Sequence, residues 1–147
     1  MNKLLFFLLL LGGSTLNAQD AKSTAPRPTP NDQEIRKATE ALSTKYSLNA
    51  DQAKQMYNIQ LRKAKNMEQI AAFQNSDPAL YRAKLKNIQK GTLSSIQRIL
   101  NTKAQVDLYQ KTQADIRVLR AKKQKELSVK KASKEDLETA LLLIYAE

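Results

Sequence analysis

Apolar side chains recur every three or four positions along most of this chain, which is the spacing of helices that bury one face. No segment shows the strict alternation of apolar and polar residues that indicates a strand. The pattern predicts a first helix from Asn31 or Asp32 to about Tyr46, a second to about Asn75, a third beginning at Pro78, and then a last long helix. We therefore expect an all-α fold, a thin array of about four to five helices arranged as long antiparallel hairpins.

Two short segments carry the residues that start a helix. Asn49 is suited to cap the second helix, because its side-chain oxygen can accept a backbone N–H in the first turn. Gln52 can reach back to the N–H of Asn49 as in a capping box, and Leu48 precedes the cap in the position of a hydrophobic staple. A similar capping motif precedes the last long helix, where Asn101 or Thr102 is the candidate cap. The residues that complete this second motif are Leu100 and Gln105.

Further boundaries follow from the same rules. Ser76 or Asp77 can cap the third helix, and Pro78 fits the first helical position because its missing N–H is not needed there. Ser133 suggests a cap for a short terminal helix. In residues 120–131 charge dominates and the apolar stripe thins, so we expect the last long helix to fray there.

The two ends of the chain differ from its helical centre. Residues 1–18 combine an early Lys with an apolar run and then small or polar residues, which predicts a signal peptide cleaved near Ala18. Residues 19–31 contain three prolines alternating with other residues, so we expect a disordered, extended leader. Export across the inner membrane into the periplasm follows from this interpretation. The remaining divisions are a helical domain over residues 32–131 and a C-terminal apolar helix over residues 132–147.

Composition restricts the chemistry that the chain can perform. It contains no Cys and no His, so it has neither a disulfide framework nor thiolate or imidazole ligands for zinc. The usual nucleophile and base pairs are missing for the same reason. With three Gly in 147 residues there is no glycine-rich phosphate loop. We therefore expect no catalytic activity, no metal and no cofactor.

Positive charge is concentrated in one region. Residues 79–131 hold 14 Lys and Arg against 3 Asp and Glu, whereas residues 132–147 hold 1 against 4. Such a field attracts polyanions, anionic membrane surfaces and acidic proteins. The alternative is an ordinary solvated helix face that keeps the protein soluble.

These features resemble the Spy/CpxP family of periplasmic helical proteins, whose hallmark is a pair of LTxxQ motifs. The first motif here is Leu48-Asn49-Ala50-Asp51-Gln52, with Asn in place of Thr. The second, Leu100-Asn101-Thr102-Lys103-Ala104-Gln105, has one additional residue, and Asp77-Pro78-Ala79 matches the intervening turn. The resemblance covers roughly residues 34–120. It implies an ATP-independent chaperone or an accessory protein of an envelope stress response, with a cradle-like fold that often forms a homodimer.

The leading hypothesis is a holdase that binds unfolded or acidic client proteins on a basic, partly apolar helical surface. Adaptable methionines would hold apolar segments, and the basic residues would speed the encounter. Ordinary core packing of the methionines and ordinary solvation of the charges are the alternatives. The candidate residues are Met56, Met67, Arg82, Lys86, Lys90, Arg98, Arg117, Arg120 and Lys123.

Other interpretations remain open at this stage. The same charge suits a binder of anionic envelope polymers or a peripheral contact with an anionic membrane, and a purely structural or oligomeric helical protein is also consistent with the pattern. Nucleic acid is disfavoured, because residues 79–131 contain only Tyr81 and Tyr109 for base stacking. The apolar C-terminal helix could pack on the bundle, mediate assembly, or occupy the client groove until a client displaces it.

Overall fold

The computed structural model describes residues 32–145, and every regular element in this range is helical. The prediction of an all-α fold is confirmed. The predicted signal peptide (1–18) and leader (19–31) lie outside the described residues, as do the last two residues of the chain. The helices are α1 (Asp32–Lys45), α2 (Ala50–Ala71), α3 (Phe73–Ser76), α4 (Pro78–Ile99), α5 (Lys103–Val129) and α6 (Lys134–Leu143).

Local capping chemistry starts the helices at the predicted positions. The side-chain oxygen of Asn49 accepts the backbone N–H of Gln52 at 2.9 Å, and the Gln52 side chain accepts the N–H of Asn49 at 3.0 Å. Thr102 rather than Asn101 caps α5, and Gln105 completes a second capping box. These bonds satisfy backbone donors that the first turn of a helix cannot pair. Side chains also cap α4, at Asp77, and α6, at Ser133, whereas Ala72 at the start of α3 makes no side-chain cap bond.

The second helix ends earlier than its apolar pattern predicts. It was expected to reach about Asn75, but α2 ends at Ala71 and a single further turn, α3, follows. Ala72 keeps helical backbone angles (φ −61°, ψ −27°), yet its N–H turns to the carbonyl of Ile70. The regular hydrogen-bond ladder is therefore interrupted at Ala72 while the chain continues in nearly the same conformation.

The last long helix does not fray in its charged segment. It continues to Val129, although fraying was expected over residues 120–131. Glu126 accepts from Lys123 at 3.0 Å and from Lys130 at 2.8 Å, and side chains three or four residues apart are neighbours on a helix. These pairs supply local support where the apolar stripe is thin. Together they hold the pKa of Glu126 down at about 2.

Two clusters of buried side chains hold the described helices together. The larger one lies where α1 ends and α2 begins, and it also takes in the last turns of α4 and the start of α5. The smaller one lies at the opposite end of α2 and joins the start of α4. The buried members of the larger cluster are Leu42, Tyr46, Met56, Ile59, Ile96 and Leu100; those of the smaller are Ile70, Tyr81 and Leu85.

The larger cluster corrects one prediction. Met56 was a candidate for contact with clients, but its side chain is 0% exposed and packs within this cluster. Its position on the face of α2 that meets α1 and α4 is the physical reason. Met67 is half-buried and packs against the smaller cluster, so it remains accessible in part.

The short terminal helix lies against both α4 and α5, while α4 and α5 contact each other less extensively. Every residue of α6 stays at least partly exposed, so it covers the neighbouring helices without being enclosed by them. Among residues 32–145, no helix has both the length and the hydropathy that crossing a membrane requires.

Candidate functional site

The two capping boxes are joined to each other through their glutamines. The Gln52 Nε2 donates to the Gln105 Oε1 at 3.0 Å, and the Gln105 Nε2 donates to the Gln52 Oε1 at 2.9 Å. Both side chains are buried. The Gln52 Nε2 also donates to the Ile99 carbonyl at 2.6 Å, and the Gln105 Nε2 donates to the Ser47 carbonyl at 3.1 Å. The pair therefore connects the α1–α2 turn to the α4–α5 turn, and we call it the glutamine pair.

Sequence reasoning found both glutamines but assigned them only local roles. Each was expected to complete its own capping box, which it does. Their contact spans 53 positions in sequence, so no local rule reports it. The available signal was the duplication itself, since two long-chain amides at equivalent positions of two helix starts can form a reciprocal pair.

An exposed apolar surface lies along α5. Val118 is 68% exposed, Leu119 54% and Val129 77%, and Leu108 is also exposed on the same helix. Leu119 borders a cavity of about 250 Å³ between α5 and the C-terminal segment, together with Ile116. Val118 and Leu119 are adjacent in sequence, whereas Leu108 and Val129 each lie about ten residues from them on the same helix.

The basic candidates are divided between different roles. Arg82 is only 15% exposed and its Nε lies 3.3 Å from a carboxylate oxygen of Glu138 in α6. The Nε of Arg120 donates to the carbonyl of Ile144 at 3.1 Å. Two predicted basic residues therefore hold the C-terminal segment in place. A third, Lys123, is engaged with Glu126 in the pair described above.

The other basic candidates are exposed. Lys86 and Lys90 lie one turn apart on α4, so they share a face, and Arg117 projects from α5. Arg98 lies elsewhere, in a cleft between α2 and α4 beside Arg62. Arg62 had not been singled out from the sequence, because its neighbour in that cleft is 36 positions away along the chain. The seven basic candidates thus do not form one continuous face.

The C-terminal segment covers part of the smaller apolar cluster. Leu142 packs against that cluster, and its carbonyl accepts from the Gln89 side chain. The Tyr145 hydroxyl donates to the carbonyl of Gln89 at 2.9 Å, and the Lys63 ammonium lies 4.8 Å from the centre of the Tyr145 ring. These contacts support the interpretation that this segment packs on the bundle. They also place it over an apolar surface that would otherwise face solvent.

A second groove lies between α1 and α2. It has a volume of about 320 Å³, and Ile35, Ala64 and Met67 form its apolar part. Glu34, Glu68 and Lys63 also line this groove, so its carboxylates outnumber its cations, in contrast to the basic character of α4 and α5. Met67 is the one predicted methionine that a ligand in this groove could touch.

Comparison with known proteins found no relative: no family model, no curated protein and no solved structure matches the chain. Within residues 32–145, no group of three or more carboxylates is placed to hold a metal ion.

Proposed function

We propose that the exported protein is an ATP-independent holdase of the periplasm, acting in the envelope stress response and binding unfolded or acidic client proteins. The observation that carries the proposal is the combination on α5 of exposed Val118, Leu119 and Val129 with a strongly basic chain region. Apolar side chains in water are available to the apolar segments of a client. Periplasmic action rests on the predicted signal peptide.

Binding would proceed in two stages. The exposed charges of Lys86, Lys90 and Arg117 attract acidic chains from a distance, which raises the rate of encounter. Apolar segments of the client then settle on α5, where Leu119 and its neighbours are accessible. Because these contacts are flat and few, clients would be held loosely and released without nucleotide.

The C-terminal segment covers a second apolar surface, the smaller cluster of Ile70, Tyr81 and Leu85. It contacts both α4 and α5, and it is attached mainly through hydrogen bonds and the Arg82–Glu138 ion pair rather than through deep burial. A client could replace Leu142 on the smaller apolar cluster. In this proposal the segment limits non-specific association when no client is present.

The direct test is aggregation of a chemically denatured client in the presence of purified residues 19–147 without nucleotide. We expect suppression near stoichiometric amounts and slower capture at about 0.5 M salt, because screening then shortens the Debye length to a few Å. Absence of suppression at a several-fold molar excess would remove the proposal.

Variants separate the two stages. Val118→Ser with Leu119→Ser should weaken suppression at every salt concentration, and Ala121→Ser on the same helix is the matched control. Lys86→Gln with Lys90→Gln should slow capture only at low salt, because screening removes the attraction at high salt in any case. A control with equal charge loss is Lys54→Gln with Lys65→Gln, which changes exposed lysines of α2.

Truncation after Lys131 tests the role of the C-terminal segment. If the segment is a cover, the truncated protein should bind a hydrophobic dye more strongly and suppress aggregation at lower concentration. If it is mainly an assembly contact, the solution mass should fall while the melting transition is unchanged. The proposed homodimer is checked by the same mass measurement on the intact protein.

A further inference from the structure

Two arginines from different helices converge on one serine. The Nη2 of Arg62 in α2 donates to the Ser95 Oγ at 2.9 Å, and the Nη2 of Arg98 in α4 donates to the same atom at 3.0 Å. The Ser95 hydroxyl donates in turn to the Gly91 carbonyl at 2.9 Å. One hydroxyl has one donor and two acceptor positions, so all three are in use and both guanidinium groups are held in place.

No negative charge compensates these two cations within the described part of the chain. Neither Arg62 nor Arg98 has a carboxylate within ion-pair distance among residues 32–145. The positions three and four residues away on each helix hold no Asp or Glu that could pair after a side-chain rotation. Both groups lie within about 6 Å of each other, a separation at which like charges repel.

The surrounding cleft offers hydrogen-bond donors and room. Two adjoining cavities of about 250 and 300 Å³ share Arg62, Ser95 and Arg98, and neither is lined by an acidic residue. A side-chain atom added at Gly91 would meet nothing within 4 Å, so the space beside the serine is open. The cations at this cleft are Arg62, Lys63 and Arg98, and the carboxamides are Gln55, Asn58, Asn66 and Asn87.

We propose that this cleft between α2 and α4 binds a phosphate group. Each guanidinium uses one N–H on Ser95 and keeps its other donors, which are arranged as a planar fork that fits phosphate oxygens. A phosphate carries close to two negative charges at neutral pH and several acceptor oxygens, so one group can neutralise both arginines. A single carboxylate carries one negative charge, so it would neutralise only one of the two arginine charges.

The phosphate can be free, part of a soluble ester, or the headgroup of a lipid. Free phosphate and phosphate monoesters, including the headgroup of phosphatidic acid, present at least three terminal oxygens to the cleft. The arginines are exposed enough to be reached from solution. The inference does not depend on the holdase proposal, because the cleft lies between α2 and α4 and the exposed apolar residues lie on α5.

Titration calorimetry with inorganic phosphate on purified residues 19–147 tests the site, at constant ionic strength in a zwitterionic buffer. We expect saturable binding with a dissociation constant of about 1 mM or below. Arg62→Gln should weaken it at least tenfold, since one charged fork is lost. Lys111→Gln removes the same charge from an exposed position of α5 and should change the constant less than about twofold, because exposed charges outside the cleft are screened.

Ser95→Ala provides a second variant that keeps all charges. It frees both guanidinium groups, so we expect weaker binding with the net charge unchanged. Equal weakening by Arg62→Gln and Lys111→Gln, or the absence of saturation below about 10 mM phosphate, would overturn the inference because it would leave only general charge attraction. Circular dichroism of each variant verifies that the helices are intact.

Two further titrations identify the source of the phosphate. Glycerol phosphate represents soluble esters, and vesicles of neutral lipid containing phosphatidic acid represent a headgroup. Binding of the ester but not the vesicles assigns the cleft to soluble ligands, and vesicle binding that is lost in Arg62→Gln assigns it to the membrane surface. Vesicle binding equal in Arg62→Gln and the wild-type protein counts against the cleft as the membrane contact.

Discussion

Replacing Gln105 by Met tests whether the glutamine pair joins the two ends of the fold. Methionine has a similar length and lacks the amide, so it removes the hydrogen bonds while filling much of the same volume. Three tertiary bonds are lost: the reciprocal pair with Gln52 and the bond to the Ser47 carbonyl. The backbone N–H groups of Asn101 and Thr102 also lose their acceptor, the Gln105 side-chain oxygen.

The magnitude follows from these contacts. A net contribution of about 1 kcal/mol for each of the three tertiary bonds, together with about 0.5–1 kcal/mol for the capping box, predicts a loss of about 3.5–4 kcal/mol. Burial supports the upper end of this range. Gln52 is only 3% exposed, so when the Gln105 amide is removed, water cannot easily replace the hydrogen bond that it donated to the Gln52 oxygen. Gln52 keeps its bonds to the Ile99 carbonyl and to the Asn49 N–H, which limits the cost.

Urea unfolding followed by circular dichroism measures the effect. With a slope of about 2 kcal/mol per molar urea, the midpoint should fall by about 1.8–2 M. Gln110→Met, at an exposed position of the same helix, is the control and should leave the midpoint within about 0.3 M, because exposed substitutions away from special contacts are nearly neutral.

A double variant separates the pair from the two capping boxes. Each single substitution already breaks both reciprocal bonds, so the sum of the two single losses includes these bonds twice. Gln52→Met combined with Gln105→Met should therefore cost at least about 1.5 kcal/mol less than that sum. Strict additivity, or a loss below about 1 kcal/mol for Gln105→Met alone, would refute the argument, since either result means that the two amides do not act on each other.

Two other predictions follow from burial and from charge. Met56→Ala should lower the free energy of unfolding by about 2–5 kcal/mol, because the Met56 side chain is fully enclosed. Met67→Ala should lower it clearly less, because Met67 is half-buried, and urea unfolding of both variants measures the difference. Glu126 has a folded pKa of about 2, below its usual 4.5, so its favourable pairing is fully present above pH 4.5 and is lost as the pH falls through about 2. A carboxyl NMR titration should show this low pKa of Glu126. Lys130→Met should raise the pKa, because Lys130 is the strongest partner of Glu126, whereas the control Lys125→Met should leave it unchanged. An unshifted Glu126 pKa in the wild-type protein would contradict the pairing.

The helix starts could be predicted from the sequence because capping is a local interaction. Asn49, Asp77 and Ser133 bond to backbone groups three residues ahead, and those partners are set by chain connectivity alone. The choice of Thr102 over Asn101 was left open, since both have a suitable side-chain oxygen and only the backbone course into α5 decides between them.

The exposure of particular side chains could not be predicted in the same way. Met56 and Met67 lie on one helix, at positions that the apolar pattern treats alike, yet only Met56 is enclosed by α1 and α4. The same holds for the basic residues: Arg82 and Arg120 hold the C-terminal segment, and Lys86 remains in water. Helical periodicity identifies a face but not the element that covers it.

The sequence by itself determined that residues 32–145 form helices and where most of them begin, because periodicity and capping act over a few residues. Only the tertiary structure decided that Gln52 and Gln105 pair, and that Arg62 and Arg98 meet at Ser95. The physical reason is that both contacts join residues more than 30 positions apart, and their formation depends on how whole helices pack rather than on any neighbouring residue.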